Sequence, residues 1–360
     1  MEDPGVNYWR YYLITDNKAC RRLNPPTGTT NKTKQMRRVF NIITSILLLT
    51  AGISCHRGSE EPAAPVISFR SHVEQNRGGL VESEADIRDR GISLMGSVIS
   101  GGVRTLLLDH AHLAYDTANG WNYGKTCYWL RGGKYHFIAI YPYDDSDYDY
   151  DMSDGSVECI GYNAGVKHLN TDFLYAVATR DLSNFNVEPD YSAVELPLKH
   201  ACAAVEFRLR NSSNAAVVAV TDVALINVCA EGDFHLSANG TATWSIDSEN
   251  RVTDHNTFGG VCTLPAGGLP VNTSYFHSIY DSKALTMLPQ RVWKSGTTLR
   301  FNIRIEGSST VFPHEVDLGN IASTTEWVAG KRYIYNFTLT DETITFDVSV
   351  VDWVEDFVEL

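Results

Sequence analysis

The chain has 360 residues and sets 30 Lys and Arg against 43 Asp and Glu, a formal net charge of −13. Nucleic-acid binding depends on neutralising phosphates with basic side chains, so this excess of acid argues against a nucleic-acid partner. Seven cysteines are present without any CxxC spacing, which gives a zinc site no support.

The first readable element is QMRRVFNIITSILLLTAGISC, residues 35 to 55. Arg37 and Arg38 form a positive start, Ile42 to Ile53 an apolar run, and small residues precede Cys55. That is the anatomy of an export signal. A membrane-spanning helix needs ~20 apolar residues, so the run is too short to anchor the chain by itself. The polar HRGSEEP follows at once. Met36 stands directly before the two arginines, so translation is expected to start there, with residues 1–35 an upstream extension outside the fold. GISC resembles the lipobox of bacterial lipoproteins, which makes Cys55 the expected lipidation site; ordinary cleavage near Ala51 is the alternative. Residues 36–54 are then the signal and 55–64 a lipidated tether. Several acyl chains hold a protein firmly where one holds it only marginally.

Residues 1–54 contain eight Lys or Arg and three Asp or Glu, so the remainder carries 22 basic and 40 acidic side chains. Its length suits two domains with ordinary cores. Five cysteines follow Cys55, an odd number whose pairing cannot be read from spacing.

The exported part reads as strands. HFIAIYPY and DFLYAVAT are continuous apolar runs bounded by turn residues, the pattern of strands buried on both faces. DLSNFNVEPDYS reads as a linker and sets a domain boundary near residue 190. In SAVELPLKHACAAVEFRLR the apolar positions switch from even (Val194, Leu196, Leu198) to odd (Val205, Phe207, Leu209) across Ala201–Ala204. A bulge or a crossing between sheets does this, because a one-residue slip reverses every side chain. VVAVTDVALINV is another buried run. TLRFNIRIEG, RYIYNFTL and ITFDVSVV alternate strictly. No stretch after Cys55 keeps a helical period. The expected fold is all-β: two antiparallel β-sandwich domains in tandem, residues 65–190 and 191–360.

Catalytic signatures are missing. The sequence has no G-x-S-x-G elbow, P-loop, G-x-G-x-x-G fingerprint or H-E-x-x-H pair, so no enzyme is expected, no catalytic residue is named, and no cofactor is implied. DHAHLAYD places Asp109, His110 and His112 at alternate or adjacent positions, which on a strand reads as polar side chains facing solvent. YPYDDSDYDYDMSDGSVE sets Asp147, Asp149, Asp151 and Glu158 at positions 1, 3, 5 and 12 of a calcium loop. Met152 stands where that loop needs glycine, and no helix flanks it, so a solvated acidic loop is the competing account. WNYGKTCYWLRGGKYHF carries Trp121, Tyr123, Tyr128 and Trp129, which suit either core packing or stacking on a sugar ring.

The same stretch carries a family resemblance. AYDTANGWNYGKTCYWLRGGKYHFIAIYPYDD resembles the fimbrillin superfamily of Bacteroidota, with Gly-Trp-x-Tyr, Tyr-Trp, a Gly-Lys turn and a strand ending in Tyr-Pro. TDFLYAVATRDLS, VELPLKHACAAVEFRLRN and EWVAGKRYIYNFTL with ITFDVSVVDW resemble later segments in the same order, so the likeness spans most of residues 65–355. LKH before the His-Ala pair, the five cysteines and the lack of a Gly-Asp turn in residues 91–104 depart from the family pattern. The resemblance implies a surface lipoprotein that forms or accompanies fimbriae. Its partners would be like or unlike fimbrial subunits, the outer membrane through its lipid, and ligands on host or bacterial surfaces. In polymerising relatives an arginine-specific protease removes the first strand and a neighbour's strand fills the groove. Here that implies a removable first strand around Val66–Phe69 and processing at Arg77 or Arg90, with Arg88 lying between them. The C-terminal ITFDVSVVDWVEDFVEL slips register after Val351, so that Val351 and Trp353 continue the apolar series on the other parity, making Val351, Trp353, Phe357 and Leu360 the candidate donor strand, with a bulge within the chain's own sheet as the alternative. A glycan-binding lipoprotein of a nutrient-uptake complex is the alternative, since it would share the anchor, the acidity and the sandwiches.

Overall fold

Alternation becomes two-faced burial wherever a strand is covered on both sides. In β5 (Lys134–Tyr141), Tyr135, Phe137, Ala139 and Tyr141 face one core while Ile138 and Ile140 face another. The computed structural model describes residues 64–73, 84–143, 148–165, 171–247, 251–252, 258–281, 284–293, 296–320 and 325–352. All fall within one compact unit, Ala63–Leu360.

β5 is central in a seven-stranded sheet with β1 (Phe69–Val73), β2 (Ile92–Ser100), β3 (Val103–Asp116), β4 (Gly120–Asn122), β8 (Leu174–Asp181) and β9 (Val194–His200). Their order is β1-β9-β8-β5-β2-β3-β4. One face holds Phe69, Leu94, Trp129, Phe137 and Leu196. The other lies under a four-stranded sheet built from β6 (Tyr148–Tyr150), β7 (Val157–Asn163), β13 (Glu231–Leu236) and β14 (Ala242–Ser245). Phe173 sits between these layers, edge-on to Phe234 at 4.9 Å, with Trp244 at 5.7 Å.

β9 leads through buried Ala201–Ala204 into β10 (Ala203–Asn211), which pairs with β23 (Lys331–Leu339); β24 (Ile344–Asp352) lies beyond β23. The facing sheet contains β11 (Val217–Ile226), β20 (Thr298–Ile305) and β21 (Phe312–Asp317). Val205, Phe207, Leu209, Tyr335 and Phe337 meet Leu225, Leu299, Phe301 and Ile303 between the two. Short strands complete the layers: β16 (Gly259–Gly260) flanks β11, while β17 (His277–Ser278) and β18 (Leu285–Met287) flank β10. β12 (Val228–Cys229) pairs with β15 (Arg251–Val252), and β19 (Gln290–Arg291) with β22 (Glu326–Trp327). The parity switch at Ala201–Ala204 is thus a crossing between two sheets. β9 and the β13–β14 hairpin reach from beyond residue 190 into sheets built by earlier residues.

Most pairings are antiparallel, but β1–β9 and β10–β23 are parallel. Parallel neighbours require a long crossover, and each of these pairs is separated by well over a dozen residues. One short helix, α1 (Glu84–Arg90), precedes β2. Ile87 is the buried apolar side chain in EADIRDR, so the segment carries no helical period to read. It stops at Gly91, whose φ of +70° suits the residue after a helix end, and whose N–H donates to Ile87 O at 2.9 Å. No helix among the described residues is long and apolar enough to cross a membrane.

Candidate functional site

The leading segment, residues 64–73, is hydrogen-bonded in two places. Its first part forms a bridge between Val66 and Tyr128: Ile67 N–H donates to Cys127 O at 2.8 Å and Trp129 N–H to Pro65 O at 2.9 Å. Its second part, β1, runs parallel to β9 from Phe69 opposite Val194 to Val73 opposite Leu198. Val194 N–H donates to Ser68 O at the bend between the parts. β1 ends the sheet order, so β9 is its neighbour on one side alone.

Side chains hold the segment from beneath. Ile67 and Phe69 are buried, and the Phe69 ring stands edge-on to Phe137 at 5.1 Å and to Tyr123 at 5.3 Å. Tyr123 Oη donates to Ile67 O at 2.8 Å and accepts from Cys127 N–H at 3.2 Å. Burial raises the Tyr123 pKa, against the hydrogen bond from the Cys127 amide, so the phenol keeps its proton and stays a donor. Burial likewise pushes the Cys127 thiol up, only partly offset by Lys125. On the outer face Arg70 and His72 lie 3.7 and 3.8 Å from the two Glu195 carboxylate oxygens, all well exposed. The seat therefore binds an extended segment through main-chain hydrogen bonds and two apolar pockets, the chemistry of strand addition.

The other end of the described chain is also an edge. β24 pairs with β23 along its whole length, yet Val350 and Val351 are exposed and Ile344 and Val348 only half-buried. The matching face of β23 is deeply covered through Tyr333, Tyr335 and Phe337. Of the candidate donor residues, Val351 lies opposite Arg332; Trp353, Phe357 and Leu360 lie outside the described residues.

Cys55, Arg77 and Asp147 also lie outside the described residues. Arg90 ends α1, and its Nη1 donates to Thr171 Oγ1 at 3.0 Å. Asp149 and Glu158 face each other across β6 and β7, and Glu158 lies 3.5 Å from His235. Asp151 accepts from Ser153 N–H at 2.7 Å, and Asp154 accepts from Ser156 through both amide and hydroxyl, so these two carboxylates cap turns. No group of three His, Cys, Asp or Glu among the described residues is placed to hold a metal ion. His110 has φ +49° and lies 2.7 Å from Asp109, whereas His112 stacks on Tyr143 at 4.0 Å, so the two histidines do not converge. Trp129 is buried, Trp121 and Tyr123 half-buried, and Tyr128 exposed. The five described cysteines are free thiols.

Sequence reasoning missed Glu195, Tyr123 as a strand-holding donor and the bridge through Cys127. β1 is the five-residue FRSHV, with two apolar side chains against the nine-residue alternation of β24, and its pairing with β9, more than a hundred residues away, is what places it at a sheet edge.

The family model described as fimbrillin-like matches residues 92–353. No curated protein matches the sequence. Among solved structures, a fimbrial protein from Bacteroides vulgatus is 12% identical, with a TM-score of 0.51, over 81% of this chain and 100% of that one. That likeness shows a shared fold. The fimbrial anchor protein Mfa2 from Porphyromonas gingivalis is 12% identical with a TM-score of 0.33, over 74% of this chain and 91% of that one. The tip fimbrial protein Mfa3 from the same organism, with a C-terminal truncation, is 12% identical with a TM-score of 0.35, over 75% of this chain and 96% of that one.

Proposed function

The chain belongs to the fimbrillin-like family, and from that premise we propose that it is a cell-surface fimbrial subunit or fimbria-associated adhesin, assembled by release of its leading strand and insertion of a strand from another subunit. The observation that carries this is the seat of residues 64–73: a short segment whose first part bonds to residues 127–129 and whose second part, β1, ends the seven-stranded sheet beside β9 alone, with Ile67 and Phe69 plugging a core that would otherwise open. Filling such an edge with another chain's strand restores the main-chain hydrogen bonds and covers a surface prone to aggregation.

In this proposal a lipid on Cys55 holds the subunit at the outer membrane until assembly, and an arginine-specific protease cuts at Arg77 or Arg90. The segment carrying Val351, Trp353, Phe357 and Leu360 serves as donor. The division near residue 190 is kept as part of the proposal, with β9 and the β13–β14 hairpin reaching across it. The glycan-binding alternative called for an exposed aromatic trio beside a groove, and the buried Trp129 and half-buried Trp121 and Tyr123 give it no support. The deciding experiment is electron microscopy of surface fibres in strains with and without the gene. Fibres that depend on the gene, or that change length or composition without it, support the reading; indistinguishable fibres in both strains overturn it.

A further inference from the structure

Two histidines of the first sheet hold the covering sheet β14-β13-β7-β6 from opposite sides, and their hydrogen bonds demand opposite charges. On the β6 side, His110 sits in a bulge of β3, its Nδ1 2.7 Å from Asp109 Oδ1 and its Nε2 bonded to Tyr148 O. An ionised carboxylate and a main-chain carbonyl only accept, so both bonds form together when each ring nitrogen carries a proton. The charged groups facing this ring are Asp109 on its own strand and Asp149 on β6, and both favour the cation. His112 turns away onto Tyr143.

On the hairpin side, His136 of β5 is buried, and its Nε2 donates to Ala238 O at 3.0 Å in the turn between β13 and β14. Gly240 of that turn rests on β8, where a Cβ would lie 3.9 Å from the Cβ of Val177. The Ala238 carbonyl fixes the neutral ring's proton on Nε2, and the buried Nδ1 has no partner. A second proton there would meet no acceptor. Arg104 from β3 faces the ring, held by Ser97 Oγ at 2.9 Å and by Asp154 O. Ser97 and Thr179, opposite His136 on β2 and β8, are uncharged, as is the whole turn 237–241. Tyr150 is bonded to Ser97, the Asp154 carboxylate caps Ser156, and Glu158 and His235 pair on the far face of the covering sheet. Burial lowers the His136 pKa, the Ala238 bond partly opposes this, and Arg104 adds to the lowering.

We infer that His110 and His136 are a pair of pH-responsive latches on the covering sheet: acid tightens its β6 edge and frees the tip of the β13–β14 hairpin, and a rise in pH does the reverse. β6 belongs to the earlier half of the chain and the hairpin to the later one, so acid loosens the later half's grip on the first sheet. The inference does not depend on strand insertion. The His136 latch is complete above about pH 6.5 and is lost as pH falls toward the lowered folded value. The His110 latch is complete below about pH 6.5 and fades as pH climbs through the raised one.

Hydrogen–deuterium exchange of the full chain, corrected for the intrinsic pH dependence of amide exchange, reads the two edges separately. From about pH 7.5 to about pH 5.5, opening of residues 236–245 should rise several-fold, with a ceiling of about tenfold per pH unit for one proton, while opening of residues 148–150 falls. His136→Gln keeps an N–H for Ala238 O and takes no second proton, so it should abolish the hairpin response and leave that of β6. A hairpin response absent from the parent, one that survives His136→Gln, or a β6 edge that opens in acid would each overturn the inference. A measurement on the parent alone covers a variant that fails to fold. Nitrogen-15 histidine spectra at about pH 7 should show His136 neutral with its proton on Nε2 and His110 doubly protonated; His136 charged or His110 neutral at that pH would overturn it equally.

Discussion

His200 Nδ1 and Asp172 Oδ2 lie 2.6 Å apart, with side-chain exposures of 4% and 0%. The pair closes the end of the first sheet where β8 begins and β9 ends, and Asp172 Oδ1 also accepts from Phe173 N–H at 2.7 Å. Removing one member of a buried pair strands the other without compensation. Asp172→Ala should therefore cost about 3–5 kcal/mol in denaturant unfolding. A loss below ~1 kcal/mol would mean that water reaches the site.

Phe69 offers a contrast within one strand. Phe69→Ala empties a pocket lined by Phe137 and Tyr123 and should cost about 3–5 kcal/mol. Arg70→Ala removes one exposed pair with Glu195 and should stay within ~1 kcal/mol. Thermal unfolding of the two variants side by side checks the difference.

Limited digestion with an arginine-specific protease should release the leading segment and leave a folded core. Arg90, tied to Thr171 at the end of α1, should be cut more slowly than arginines N-terminal to Glu84. Mass spectrometry of the first fragments decides; initial cuts within residues 200–340 would contradict the expectation.

Deleting residues 352–360 should leave the melting temperature nearly unchanged, because β24 keeps its pairing with β23 from Ile344 to Val351 and its outer residues are already exposed. Fibre formation should be lost. A large drop in monomer stability would instead assign those residues to the chain's own core.

His110 should make stability depend on pH. The hydrogen bond to Asp109 raises its pKa above 6.5, burial opposes this, and the Tyr148 carbonyl adds to it. A raised folded-state pKa means the contribution is complete below about pH 6.5 and fades as pH climbs through the folded value. Unfolding free energy measured from pH 6 to 9 should fall, and His110→Gln should flatten that part of the profile.

Local signals carried much of the fold. Leu299, Phe301 and Ile303 are buried as their alternation requires, as are Tyr333, Tyr335 and Phe337, and the parity switch at Ala201–Ala204 is a real change of sheet. VVAVTDVALINV was less legible: β11 breaks register between Thr221 and Ala224, with Asp222 at φ +51°, so its apolar run is not one continuous buried strand. A bulge depends on the partner strand and leaves little mark on composition. The pairing of β13 with β7 and the parallel approach of β1 to β9 were invisible for a related reason, since period-two alternation states which face is buried and never names the neighbour. The seat of the leader was thus half readable, its apolar plugs from alternation and its walls only from topology.

The five matched positions between β1 and β9, Phe69 with Val194 through Val73 with Leu198, carry a mechanical meaning. A strand in that place that is pulled along its own axis loads its hydrogen bonds together, in shear, instead of opening them one after another. Resistance to a sustained pull is set by the rate of rupture and not by equilibrium stability. A joint of this geometry would hold under flow far longer than its modest length suggests, and would still be assembled from a single short segment.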